Sequence, residues 1–154
     1  MRIRLCAVGT RVPNWVSAGV EEYARRLPRE NRLDLVEVAA ADRRGAGGEE
    51  RWRAEEAERL RQAAAGARMI ALEVRGRMLS TEQLSARMED WRMEGRDVAL
   101  LVGGADGIAP ALLDDVESLW SLSPLTLPHA LVRVVVAEQI YRAWTMLSGH
   151  PYHR

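Results

Sequence analysis

Residues Asp97 to Gly107 read DVALLVGGADG. A nearly unbroken apolar run that leads into a glycine turn is expected of a strand buried on both faces of a parallel sheet, because helices cover both sides of such a sheet. Working outward, Ile3 to Val8, LDLVEVA from Leu33 and MIALEV from Met69 carry three more strand patterns. Between them lie helical stretches. The first enters at Pro13-Asn14-Trp15, carries Trp15, Ala18, Tyr23 and Leu27 as an apolar stripe, and is stopped by Pro28. The second, Glu49 to Ala65, is heavily charged, with Trp52, Ala57 and Leu60 as anchors, a solvated face of Glu–Arg pairs, and Gly66 as its stop. The third starts at Ser80, which with Gln83 has the spacing of a capping box, runs to about Glu94 and is closed by Gly95. ADRRGAGGEE, around Asp42 to Gly48, has no periodicity and is expected to be a mobile loop, and Gly76 is expected to turn the chain. Strands alternating with helices through short turns predict one α/β domain, residues 1–154, with a mostly parallel sheet flanked by helices.

Charge excludes several partners. The 22 basic and 22 acidic side chains cancel, so no bulk field draws the chain to DNA or to an anionic membrane, and any RNA contact must be local or assembled by oligomerisation. Every cation is arginine, which suits planar phosphate recognition and is also what a compositional bias of the genome produces. The lone Cys6 sits in an apolar run and forms neither a disulfide nor a metal cluster. No window reaches the roughly 20 apolar residues of a membrane span, and the N-terminal run is too short for a signal peptide. A cytoplasmic protein is expected.

In an open parallel sheet, ligands sit beyond the carboxyl ends of the strands. Two segments fall there: LVGGADG, Leu101 to Gly107, and SLSPLTLPH, Ser121 to His129. The first is either an ordinary tight turn or a place where backbone approaches a ligand. The second is apolar yet broken by Pro124 and Pro128, leaving backbone groups free either for a flat ligand such as an adenosine moiety or for packing against its own sheet. After it, Leu131 to Leu147 is apolar nearly all round, as in a helix that is buried or faces another subunit. Glu138 and Arg142 stand four apart on it, either a plain helical ion pair or part of a site. All three histidines, His129, His150 and His153, gather in this C-terminal stretch with Arg133, Arg142 and Arg154. A proton-exchanging, cationic end on a neutral chain marks the expected place of the chemistry.

VGGADG, SLSPLTLPHALVRVVVAEQIYRAW and the terminal PYHR, together with AVGTRVPNW and EYARRL, resemble the RlmH family of SPOUT-superfamily RNA methyltransferases, from end to end and most weakly at Asp42 to Gly48. The resemblance implies a SPOUT-type α/β knot, with the C-terminal part, about 97–154, threaded into a deep trefoil knot, and a homodimer. It implies that S-adenosylmethionine is bound by Leu72, Gly103, Leu122, Ser123, Pro124, Leu125, Thr126 and Leu127. It implies methylation at ring nitrogen N-3 of a pseudouridine in 23S rRNA, with the assembled ribosome as preferred substrate. Ala105-Asp106 stands where other members often have Pro-Glu or Ser-Asn, a mild departure at a backbone contact. With that resemblance, His153 becomes the expected base or proton shuttle, Arg142 and Arg154 the groups that stabilise the imide oxygens or hold RNA, Tyr152 a stacking surface, and His129 a wall of the substrate site. Pairing of two chains would set one tail against the other's cofactor loop. A SPOUT enzyme acting on tRNA, and a non-catalytic ribosome-binding factor, are the alternatives.

Overall fold

The computed structural model describes all residues, Met1 to Arg154. Five strands, β1 (Ile3–Val8), β2 (Leu33–Val38), β3 (Arg68–Met78), β4 (Val98–Val102) and β5 (Ser118–Ser121), alternate with five helices, α1 (Asn14–Ala24), α2 (Gly48–Ala63), α3 (Thr81–Glu94), α4 (Pro110–Asp115) and α5 (His129–Ser148). The sheet order is β2-β1-β4-β3-β5 and every pairing is parallel. β4 lies at the centre, and all five of its residues are buried. Val98, Leu100 and Val102 point into one apolar layer with Val20, Leu84, Met88, Val136 and Ile140 of α1, α3 and α5. Ala99 and Leu101 point the other way, to Ala57, Leu60 and Leu112 of α2 and α4. The unbroken hydrophobicity of DVALLV is the consequence of these two covers. No helix is long and apolar enough to cross a membrane.

The capping box forms as expected: Ser80 accepts from the Gln83 amide, the Gln83 side chain accepts from the Ser80 amide, and Gly95 caps the helix in the left-handed region at φ 69°. Other expectations shift. α1 buries Val16 and Val20, whereas Trp15 and Ala18 are exposed, so the first half of the stripe is Val16 and Val20 while Tyr23 and Leu27 keep their expected places. Gly76 does not turn the chain but lies inside β3. There Leu72 and Arg77 both align with Trp120, the residues between them bulge outward, and a methyl group on Gly76 would lie 2.7 Å from the Leu119 carbonyl carbon. Glycine is required by close approach of two backbones rather than by a turn. The charged face of α2 is not wholly solvated, because Glu56 is 1% exposed. The segment expected to be mobile is pinned by Arg43, which bonds Asp106 and Glu56.

Candidate active site

The carboxyl ends of β4 and β5 and the bulged middle of β3 open onto one cavity of about 380 Å³, within the range of roughly 300–1,000 Å³ typical of small-molecule sites. Its wall includes Leu72 and Glu73 from β3, Gly103 to Ala105 and Gly107 from the turn after β4, and Trp120 to Ser123 and Leu125 to Val132, apart from Ala130 and Leu131, from β5, its loop and α5. The glycine turn is folded tightly on itself. The Gly107 amide donates to the Gly104 carbonyl at 3.1 Å, Gly107 has φ 78°, and a methyl on Gly103 would lie 2.7 Å from the Gly107 carbonyl carbon and 2.8 Å from Ile108. The leucine-rich loop is shaped by two serines: the Ser121 hydroxyl donates to the Ser123 carbonyl, and the Ser123 hydroxyl accepts from the Leu125 amide, each at 3.0 Å. The amides of Leu122, Thr126 and Leu127 donate to no group of the chain and remain available. Of the eight residues expected around a cofactor, all but Pro124 stand in this wall; Pro124 sits outside it, at the turn the serines make.

His129, the first residue of α5, also lines the cavity. Burial, and then the neighbouring Arg133 guanidinium, hold its imidazole below the ordinary value of 6.5 against an opposing pull from Glu56. Its Nδ1 is enclosed and has no partner in the chain. The unfolded chain therefore takes up a proton that folded His129 resists, so its share of stability is complete above about pH 6.5 and is lost as the pH falls below it. Thermal unfolding measured from pH 8 down to pH 5 is expected to show a smaller acid-side loss in His129→Gln than in the parent chain.

Arg133, grouped from sequence with the histidines and arginines of the C-terminal stretch, is fully buried and holds the site together from below. Its Nη1 meets Glu37 Oε2 at 2.6 Å, and its Nη2 donates to the Val8 and Gly9 carbonyls at 3.0 and 2.9 Å. The carboxyl ends of β1 and β2 are thereby tied to α5.

The tail forms a second constellation. Gly149 closes α5 at φ 71°, and a single helical turn, Pro151–His153, folds back against it. The Tyr152 hydroxyl donates to Glu138 Oε1 at 3.1 Å, Arg142 Nε donates to the same oxygen at 2.7 Å, and the Arg142 guanidinium covers the Tyr152 ring at 4.9 Å. Tyr141 packs on Tyr152 at 4.7 Å. Burial, with the Tyr23 hydroxyl and Glu138 adding to it, pushes the Tyr152 phenol up to about 12. Arg142 is thus the ion pair that its spacing from Glu138 allowed, and Tyr152 is already stacked within the chain. His153 is half-buried with its Nδ1 enclosed and unpartnered, while Arg154 is exposed. None of Arg142, Tyr152, His153 and Arg154 stands in the cavity wall. Tyr152 anchors at Glu138, about 13 Å along the axis of α5 from His129 at about 1.5 Å per residue.

Sequence reasoning did not find Glu73, Trp120 and Val132 in the wall, nor the Arg43–Glu56–Asp106 cluster beside it. Glu56 carries a legible signal: it stands one helical turn before Leu60, on the face of α2 that packs on the sheet.

The chain matches the family described as "Predicted SPOUT methyltransferase" over residues 1–153. It is 53% identical to the "Ribosomal RNA large subunit methyltransferase H" of Chromohalobacter salexigens over all of both chains. It is 52% identical to the protein of that name from Hahella chejuensis, over 100% of this chain and 99% of that one. Among solved structures, a methylase family protein of Haemophilus influenzae superposes with a TM-score of 0.58 at 12% identity, over 99% of this chain and 70% of that one. A methylase family protein of Neisseria gonorrhoeae superposes with a TM-score of 0.56 at 16% identity, over 90% and 81%. These two share the fold. With its parallel sheet, its strand-end cavity and full-length relatives above half identity, the chain belongs to the SPOUT methyltransferase family, among the relatives named ribosomal RNA large subunit methyltransferase H.

Proposed function

We propose that the protein is a cytoplasmic enzyme that methylates N-3 of a pseudouridine in 23S rRNA of the assembled ribosome, using S-adenosylmethionine, and that it works as a homodimer whose C-terminal part, about 97–154, is knotted. The observation that carries this reading is the strand-end cavity, whose apolar walls and unengaged amides fit an adenosine moiety. Leu72, Leu122 and Leu127 would enclose the flat base, and the backbone of Gly103 and of Leu122 to Leu127 would present donors and acceptors to its edges. When bound, S-adenosylmethionine supplies an electrophilic methyl group carried on a cationic sulfur.

The chain's own residues have the remaining work. An imide nitrogen between two carbonyls is a poor nucleophile while it holds its proton, so a base must take that proton. His153 is assigned that role, with Arg142 and Arg154 steadying the oxygens that gain charge and Tyr152 offering the edge of its ring to the base. Because the tail and the cavity lie apart in one chain, the tail that serves a cavity is taken to come from the second chain. His129 then forms the wall between cofactor and base.

The test is transfer of labelled methyl from S-adenosylmethionine by the purified protein, with nucleosides of the product RNA resolved by mass spectrometry. Label in 3-methylpseudouridine of 23S rRNA, strongest on assembled ribosomes, is the expected result. Label confined to tRNA would replace the substrate, and an absence of S-adenosylmethionine binding in calorimetry would leave a ribosome-binding factor instead.

A further inference from the structure

Beneath the glycine turn lies an ionic cluster that the proposed chemistry does not use. Arg43 leaves the segment after β2 and reaches Asp106 Oδ2 with Nε at 3.0 Å and Nη2 at 2.6 Å. The same Nη2 is 3.0 Å from Glu56 Oε1 on α2, and Nη1 donates to the Ala41 carbonyl at 3.1 Å. The Ala41 amide donates to Glu56 Oε1 at 3.0 Å. The Arg43 guanidinium also covers the Trp52 ring at 5.5 Å. One cation therefore joins three separate segments, the chain after β2, the middle of α2 and the turn after β4. Glu56 is 1% exposed, and its second oxygen, Oε2, has no partner in the chain. That oxygen lies 3.4 Å from where a methyl on Gly104 would stand, directly under the turn.

A carboxylate this deeply buried is costly unless it is held in a specific arrangement. Here the arrangement ends on Asp106, between Ala105 and Gly107, both of which form the cavity wall. Nothing else from outside the turn bonds the side chain of Asp106.

We propose that Arg43, braced by Glu56, is a latch that positions the Gly103–Gly107 turn for its ligand, making Arg43 and Glu56 positioning residues rather than residues that touch it. The proposal rests on the reading of the cavity as the S-adenosylmethionine site. If releasing the latch leaves about one tenth of the molecules with the turn in its binding shape, the apparent Kd rises about tenfold, because affinity scales with the competent fraction.

The experiment is a double-mutant cycle on full-length protein with Arg43→Ala, Asp106→Ala and the two combined, with Arg43→Lys as the conservative variant and Arg61→Ala, which removes the separate exposed pair with Asp115, as the control. S-adenosylmethionine binding is titrated by calorimetry, and amide hydrogen exchange of Gly104 to Gly107 is followed without ligand. Each single variant is expected to weaken binding about tenfold and the double no further, with Arg43→Lys intermediate. The KM for the cofactor should rise while turnover at saturating cofactor is kept, and exchange at the turn should quicken. Arg61→Ala should change neither. A loss of melting temperature with unchanged Kd and unchanged exchange would make the cluster merely structural and overturn the latch, as would additive effects of the two substitutions. A parent chain that binds no S-adenosylmethionine would overturn the functional reading, and the exchange measurement would then decide the latch on its own.

Discussion

Arg133→Met is expected to cost about 3 kcal/mol of stability, the range found when one partner of a buried ion pair is removed, which for a chain of this size lowers the melting temperature by on the order of 10 °C. Methionine keeps much of the stem's volume, so the effect isolates the guanidinium. Without it, the Val8 and Gly9 carbonyls lose their donor and Glu37 loses its cation. Replacing a surface cation such as Arg44, whose partner Asp42 is also exposed, should leave the melting temperature nearly unchanged, because water screens the pair. Thermal unfolding of the two variants against the parent chain checks the contrast.

His153→Ala is expected to slow methylation by a factor on the order of 10² to 10⁴, the usual contribution of a positioned acid or base. Its effect on S-adenosylmethionine affinity should be small, because the assigned role of His153 is toward the proton of the RNA base and not toward the cofactor. Single-turnover methylation on assembled ribosomes, paired with calorimetry, separates the two quantities. Parent-like turnover in His153→Ala would end its assignment as base. The role would then pass to His129, which lines the cavity and is held toward its neutral form.

How far the sequence could be read depended on whether one residue's neighbours were local. The run from Val98 to Val102 announces a doubly covered strand because both covers demand the same thing of it, apolar side chains at every position. The Ser80 cap is a contact between residues three apart and needs no tertiary information. The Leu122 to Pro128 segment stood out because prolines and leucines together fit neither regular structure, and all of it but Pro124 stands in the cavity wall. Helix α1 was harder, since Trp15–Ala18 and Val16–Val20 are both apolar pairs at helical spacing, and only the packing of α1 on α5 selects the second. Gly76 looked like a turn because its true constraint, the Leu119–Trp120 backbone, lies far away in sequence. Arg43, Glu56 and Asp106 are unremarkable charges until the chain folds. Arg133 likewise gains its meaning from the carbonyls of β1, which no pattern within α5 reveals.

The same logic explains why the resemblance's site residues divide into two groups. Leu72, Gly103, Leu122, Ser123, Leu125, Thr126, Leu127 and His129 share one cavity, while Arg142, Tyr152, His153 and Arg154 share the far end of α5. In the proposed dimer a neutral chain would gain a cationic mouth to its cavity from the second tail, which would give pairing a chemical purpose beyond burial.

The claim that one active site takes its cavity from one chain and its tail from another is tested most directly by mixing two inactive variants. Gly103→Val, which fills the turn where even a methyl lies 2.7 Å from the Gly107 carbonyl carbon, disables the cavity, and His153→Ala disables the tail. With shared sites, heterodimers isolated with two different affinity tags would contain one site carrying both defects and one carrying neither. The account predicts that they recover methylation of 23S rRNA to roughly half the parent rate per dimer, as expected of one intact site in two. Heterodimers no more active than the two parental homodimers would contradict it.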